Sequence, residues 1–328
     1  MALLNPRELK NSARSALDRT SCDPRQVVLT YAGAMALLSL VLTALDYLLE
    51  QQISNTGGLS GLGTRSILST AQSFLSVVQP VALLFWQMGY TYFVVQIARE
   101  QETGSHALAE GFRQFGPVLR LTALQALIYL AVGLICANLT SFLFMMTPWA
   151  SDFLQTAAAS LSDGGALTDT AALEAAIADA YLPIMGIFLI LLLAGCAPIY
   201  YRIRLSPYYL MEHPRSGALA ALRASRTMTK GSCLSLLKLD LSFWWFYLLS
   251  ALVAIVSYGD LLAPVLGIEL PWSDTVSYFV FCVLYLVLDL ALALWQSNPV
   301  NVTYAKAYTV LESAEAPQPA AQRQNFPW

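Results

Sequence analysis

Asp289 stands inside an uninterrupted apolar run, VLYLVLDLALAL. An ionised carboxylate at that depth costs about 2.5–3.5 kcal/mol on insertion scales, so it must face other helices, carry a proton or pair with a base. Asp240 follows Lys238 by two residues in a second apolar stretch, and Arg202 and Arg204 close a third. A carboxylate with a cationic partner inside a bundle is the material of a proton- or ion-coupled site. The same residues also serve as polar glue between helices, and the two readings stay open together. Asp46 lies nearer the end of its run and is read as solvated.

Arg215, Arg223, Arg226 and Lys230 form a second constellation on one short helical segment. Such clusters attract anionic head groups at about 1 kcal/mol per basic residue near the surface. They also set topology, which accounts for most of the pattern. The two histidines, His106 and His213, sit beside helix starts and read as cap or surface residues. No H-E-x-x-H, G-x-S-x-G or phosphate-loop pattern occurs, and the glycines around Gly57–Gly63 lack the preceding strand and the lysine of such a loop. The five cysteines (22, 136, 196, 233, 282) contain no C-x-x-C pair and lie mostly in apolar runs, so they read as small buried hydrophobes. No catalytic residue, cofactor site or metal site is assigned, and Asn138 and Asn301 are discounted as glycosylation acceptors.

The elements that position these residues are apolar helices. Hydrophobic residues make up 57% of the 328-residue chain and charged residues 12%, about half the charged share of a soluble domain. A net charge of −3 and the lack of a basic, aromatic-interleaved face exclude nucleic acid as a partner. Six runs are long enough to span about 30 Å of hydrocarbon: about 27–49, 75–97, 118–142, 182–203, 234–256 and 276–294. They make 1–312 one transmembrane domain, with an outer loop at 148–181 of two alanine-rich helical patches, and a disordered tail at 313–328. No cleavage pattern follows the first run, which is expected to remain as an anchor.

Three amphipathic surface helices precede spans one, three and five. The first, 5–20, has Asn5 to cap it, Pro6 at its first position and Glu8 at the capping-box position. The second, 104–120, carries Leu108, Phe112, Phe115 and Leu119 on one stripe and breaks at Gly116-Pro117. The third begins at Pro214 and breaks at Lys230-Gly231-Ser232. Surface helix, break, span, loop, span thus recurs three times, a possible parallel threefold repeat. Seventeen of the eighteen Lys and Arg fall on one side of a six-span chain. The positive-inside rule places that side, with both termini, in the cytoplasm.

RELKNSARSAL at 7–17, GFRQF at 111–115, ALRASRTMTKG and LKLDLSFWW across 221–245, and NPVNVTYAKAYTVL at 298–311 resemble an uncharacterised bacterial membrane family, domain of unknown function 975. The resemblance covers nearly the whole chain in order. It implies an all-helical, multi-pass protein of the bacterial cytoplasmic membrane with no enzymatic activity to carry over. The chain departs from the family pattern in the outer loop, in the proline-rich tail and at Ser232-Cys233. The preferred expectation is a non-enzymatic binding or accessory component of envelope or lipid homeostasis or of transport. Its partners would be membrane lipids and other membrane proteins. The alternative is a small ion- or proton-coupled transporter using Asp289 and Asp240.

Overall fold

The computed structural model describes residues 4–20, 22–55, 62–160, 170–259, 262 and 274–315, and among these the secondary structure is entirely helical. The chain divides into two compact units. One comprises Met1–Leu119 with Leu205–Trp328, and the other Arg120–Arg204. Among the described residues, five helical stretches are long and apolar enough to cross a membrane: Pro24–Ser54, Thr64–Ala98, Phe115–Met145, Ile177–Glu212 and Val276–Ala314. A sixth is present if a bent pair, described below, counts as one span.

In the first unit, α1 (Pro6–Arg19) starts as its sequence dictates. The Asn5 side-chain oxygen accepts the Arg7 N–H at 3.1 Å, and its amide donates to Glu8 Oε1 at 2.8 Å. Glu8 therefore grips the cap side chain, where a capping box would grip its backbone. Leu9, Ala13 and Ala16 are buried. They join Val27 and Val28 of α2 (Pro24–Asn55) and Phe93, Val94, Val95 and Ile97 of α3 (Leu62–Ala98) in one core. The buried side chains of α1 thus pack on protein. Between the first two expected spans, residues 50–55 and 62–74 are helical, and 56–61 lie outside the described residues.

After α3 the chain makes a 3-10 turn, Ser105–Ala109, and a single helical turn, α4 (Glu110–Arg113). The break expected at Gly116-Pro117 falls earlier, at Gln114 (φ −100°, ψ 33°). Gly116 and Pro117 lie in the first turn of α5 (Phe115–Met145). The reason is elementary: the first turn has no N–H donors to satisfy within the helix, so proline costs nothing there. Of the four residues expected on one stripe, Leu108 is buried and Phe112, Phe115 and Leu119 are exposed.

In the second unit, α5 continues into α6 (Pro148–Ser160) and α7 (Thr170–Ile203). Phe144, Ala150 and Ala180 form a small core with Phe153 and Ile184. The second alanine-rich patch of the expected outer loop is not separate: it is the start of α7, which runs through Pro183 unbroken. Residues 161–169, including the Ser162–Gly165 separator, lie outside the described residues.

Back in the first unit, α8 (Ser206–Glu212) and α9 (Ala218–Met228) pack together. The Leu205 N–H donates to the buried Ser225 hydroxyl at 3.1 Å. The turn at 229–232 carries Gly231 at φ 82°, as the Lys230-Gly231-Ser232 break requires. The expected fifth span then breaks again. α10 (Cys233–Leu241) and α11 (Trp244–Val256) meet at 64°. Lys10 of α1 donates to the Ser242 carbonyl at 2.7 Å and stands 3.9 Å from the Phe243 ring centroid. Burial, then the Arg14 charge, lowers the Lys10 pKa. This contact joins residues 232 apart and has no local sequence signal.

α12 (Asp274–Leu292), a π-turn (Ala293–Ser297) and α13 (Asn298–Glu315) form the last helical stretch. α13 takes in the first three residues of the segment read as a tail; 316–328 lie outside the described residues. Large apolar side chains remain exposed along the candidate spans, among them Leu37, Leu134, Ile190 and Val287. In a membrane protein this is the surface that lipid covers.

Candidate functional site

Ser297, Asn301, Tyr304, Tyr308 and Glu312 recur at spacings of four, three, four and four. That spacing lays one polar stripe from the end of the π-turn along α13. Each residue of the stripe meets another element of the first unit, and at the Glu312 end the stripe opens into a cleft of about 800 Å³.

At its beginning, the Tyr90 hydroxyl donates to Asn298 Oδ1 at 2.9 Å and lies 3.2 Å from Ser297 Oγ. Asn298 in turn donates to the Pro24 carbonyl at 2.9 Å, tying α2, α3 and α13 together. Tyr31 stacks on Tyr90 with centroids 4.5 Å apart. Halfway along, the Tyr304 hydroxyl donates to Asp240 Oδ1 and lies 2.7 Å from the Tyr247 hydroxyl. The stripe therefore also fastens both arms of the bent pair.

At the far end, Arg99 is aimed by the termination of α3. Glu100 takes φ 57°, its N–H bonds to the Ile97 carbonyl at 2.9 Å, and the Gln101 N–H bonds to the Gln96 carbonyl at 3.0 Å. That is a Schellman ending with glutamate where glycine is usual. The left-handed conformation costs a non-glycine residue about 1–2 kcal/mol. Glu100 is held there by Lys306 at 3.4 Å and Arg19 at 3.1 Å, and these cations, Lys306 first, lower its pKa. Arg99 then donates through Nε to Glu212 Oε1, and through one terminal nitrogen to Glu212 Oε2 (2.6 Å) and to Glu312 Oε2. The hydrogen bond to Glu212 is the largest cause of a further rise in its already high pKa. The Tyr308 hydroxyl lies 2.7 Å from Glu212 Oε2 and 2.9 Å from Glu312 Oε1, its one proton shared between the two carboxylates. The ends of α3, α8 and α13 are thus clamped by one guanidinium and one phenol.

The cleft beside this clamp is also lined by Glu110, Arg113, Gln114 and His213. Arg113 pairs with Glu110 at 2.5 Å on the exposed side. The Gln114 side-chain oxygen is shielded from solvent and meets no donor among the described residues.

The residues singled out by sequence fall elsewhere. Lys238 and Asp240 lie on α10, and Asp240 is bonded to Tyr304. Asp289 lies on α12 with Tyr31 and Tyr285 as electrostatic neighbours, and has no hydrogen bond or ion pair among the described residues. Arg202 and Arg204 end the second unit, with Arg204 over the Tyr200 ring at 5.1 Å. Arg223 and Arg226 of α9, with flanking Arg215 and Lys230, are exposed, while Ala218, Ala221, Ser225 and Met228 bury the opposite stripe.

Arg99, Glu212 and Glu312 carry no local sequence signal, because about a hundred residues separate each from the next. The α13 spacing was the available signal.

Fold and site define an all-helical protein with five or six helices suited to a membrane and a polar cleft at their ends. The chain belongs to the family described as "Protein of unknown function (DUF975)", whose model matches residues 3–296. The match stops short of the 298–311 stretch that helped suggest the resemblance. No curated protein and no solved structure matches the chain.

Proposed function

We propose that this is a six-span, non-enzymatic protein of the bacterial cytoplasmic membrane, with both termini and the Arg99–Glu212–Glu312 cleft on the cytoplasmic side. It acts as a membrane-embedded binding or accessory component in envelope or lipid homeostasis or beside a transporter. The observation that carries the reading is the meeting of Glu212, Tyr308 and Glu312. Charged helix ends that bond to one another lie on one face of the bilayer, so the chain crosses an even number of times between Glu212 and Glu312. α12 supplies one crossing, and the bent α10–α11 pair supplies the other. α11 alone, at 13 residues, is about 20 Å long, and the arm before the bend makes up the remaining reach. The same face then gathers the basic residues, as the positive-inside rule requires. Exposed Arg215, Arg223, Arg226 and Lys230 contact anionic lipid head groups there.

The test is a cysteine placed at Gly164 in a background lacking the native cysteines. It should react with a membrane-impermeant maleimide in intact cells. Reaction only after the cells are broken would overturn the topology.

A specific observation favours a second reading, an ion- or proton-coupled transporter. The π-turn Ala293–Ser297 begins one helical turn after Asp289, and such turns are frequent at functional sites. In that reading Asp289 and Asp240 carry the coupling, with Lys238, Arg202 and Arg204 as the cationic partners. Asp289→Asn should then abolish uptake or efflux by the reconstituted protein. Retention of fold and of every cellular phenotype by that variant would sink the transporter and leave the accessory component.

A further inference from the structure

The clamp carries more ligand capacity than it uses. Two carboxylates offer about eight lone-pair positions. Arg99 takes three of them, two on Glu212 and one on Glu312, and the single Tyr308 proton is shared between the two carboxylates. The charge is unbalanced as well, since two carboxylates share one guanidinium. His213 follows Glu212 directly, and its ring is stacked on Tyr209 with centroids 4.6 Å apart. Neither ring nitrogen has a hydrogen-bond partner among the described residues. One ligand atom from each of Glu212, His213 and Glu312 lies within 4.8 Å of the others.

Donors around one ion at about 2.1 Å stand no more than about 4.2 Å apart. Three donors sharing one ion in a tetrahedral arrangement stand about 3.4 Å apart, so movements of about an ångström, shared among three side chains, separate this set from a ligating one. In the same cleft, the Gln114 side-chain oxygen is shielded from solvent and meets no donor among the described residues, which leaves one further acceptor for a ligand or water.

We propose that Glu212, His213 and Glu312, at the ends of α8 and α13, bind a divalent transition-metal ion of the Mn²⁺/Zn²⁺ class at the mouth of this cleft. Two carboxylates favour a hard ion and the imidazole a borderline one, which is why the set points to this class rather than to Ca²⁺ or Cu⁺. Arg99 and Tyr308 are positioning residues: they orient the carboxylates and offset their charge, as outer-shell partners do in metal sites. The inference rests on the reading of the cleft as a binding site and supplies its ligand class. Its failure would leave the Gly164 labelling result untouched.

The experiment titrates Mn²⁺ into full-length protein in detergent, freed of metal beforehand. Bound and free ion are followed by electron paramagnetic resonance, with Zn²⁺, Mg²⁺ and Ca²⁺ as competitors. One equivalent should bind and be displaced by Zn²⁺ in preference to Mg²⁺ or Ca²⁺. His213→Ala should weaken binding at least tenfold while the protein stays folded, because the ring is exposed and makes no hydrogen bond among the described residues. Glu312→Gln keeps an acceptor for Tyr308 and should weaken binding similarly. Equal binding by wild type and His213→Ala would mean an adventitious ion only and would overturn the site, as would displacement by Mg²⁺ as readily as by Zn²⁺.

Discussion

Gly111→Ala and Gly89→Ala are each expected to destabilise the protein by about 3 kcal/mol, enough to cut the yield of folded material sharply. A Cβ on Gly111 would lie 2.7 Å from the Gly89 backbone nitrogen and closer still to the Phe85 carbonyl oxygen. A Cβ on Gly89 would meet the Leu108 carbonyl, with its carbon at 2.7 Å. Both obstacles are backbone, so no rotamer change relieves them, and the 105–113 segment must lift off α3. Overpacking of this kind reaches the upper end of its usual range because the surroundings cannot yield. Lifting the segment also separates Phe112 and Phe115 from Phe85, whose rings lie 5.7 and 4.7 Å away. Thermal unfolding in detergent, by tryptophan fluorescence, is the measurement. Gly33→Ala supplies the contrast: its Cβ would meet nothing within 4 Å. Inside a helix that change is neutral or stabilises by up to about 1 kcal/mol. Equal midpoints for Gly111→Ala and Gly33→Ala would refute the close backbone approach.

Arg99→Ala should cost about 2 kcal/mol and loosen the ends of α3, α8 and α13 together. It leaves two carboxylates beside each other without their shared cation. The Glu212 side chain is 9% exposed and Arg99 34%. Removing one partner of a buried pair costs about 3–5 kcal/mol, and the partial exposure of the arginine discounts that figure through solvent screening. Arg99→Lys should recover less than half of the loss, since an ammonium cannot make the forked contact to Glu212. Glu212→Gln in the Arg99→Ala background should recover part of it by removing the repulsion. Hydrogen exchange read by mass spectrometry locates the effect: faster exchange is expected at 96–101, 206–213 and 305–315, with α5 and α7 unchanged. A loss confined to the end of α3 would show that the clamp does not hold three elements.

How much of this was legible follows from the range of each interaction. The α1 start, with Asn5, Pro6 and Glu8, was readable because caps act across three or four residues. The break at Gly231 was readable for the same reason. The bend at Ser242–Phe243 was not, because Lys10, which contacts both residues there, lies 232 positions from Ser242. Gly116-Pro117 misled because proline signals a boundary without saying on which side of it the helix lies. Asp289 is legible because a carboxylate in an apolar run stands out locally. Arg99, Glu212 and Glu312 are not, because each is an ordinary charge beside a span until the helices pack.

The sequence by itself determined an all-helical chain of long apolar segments and a one-sided distribution of its basic residues, since helical periodicity and hydrophobic length are properties of neighbours along the chain. Tertiary structure alone decided which polar groups meet: that α13 gathers Tyr90, Asp240 and Arg99 along one stripe, and that three helix ends share one clamp. Such contacts form only when backbones distant in sequence approach closely, and the glycines that permit the approach carry no mark of the partner they will meet.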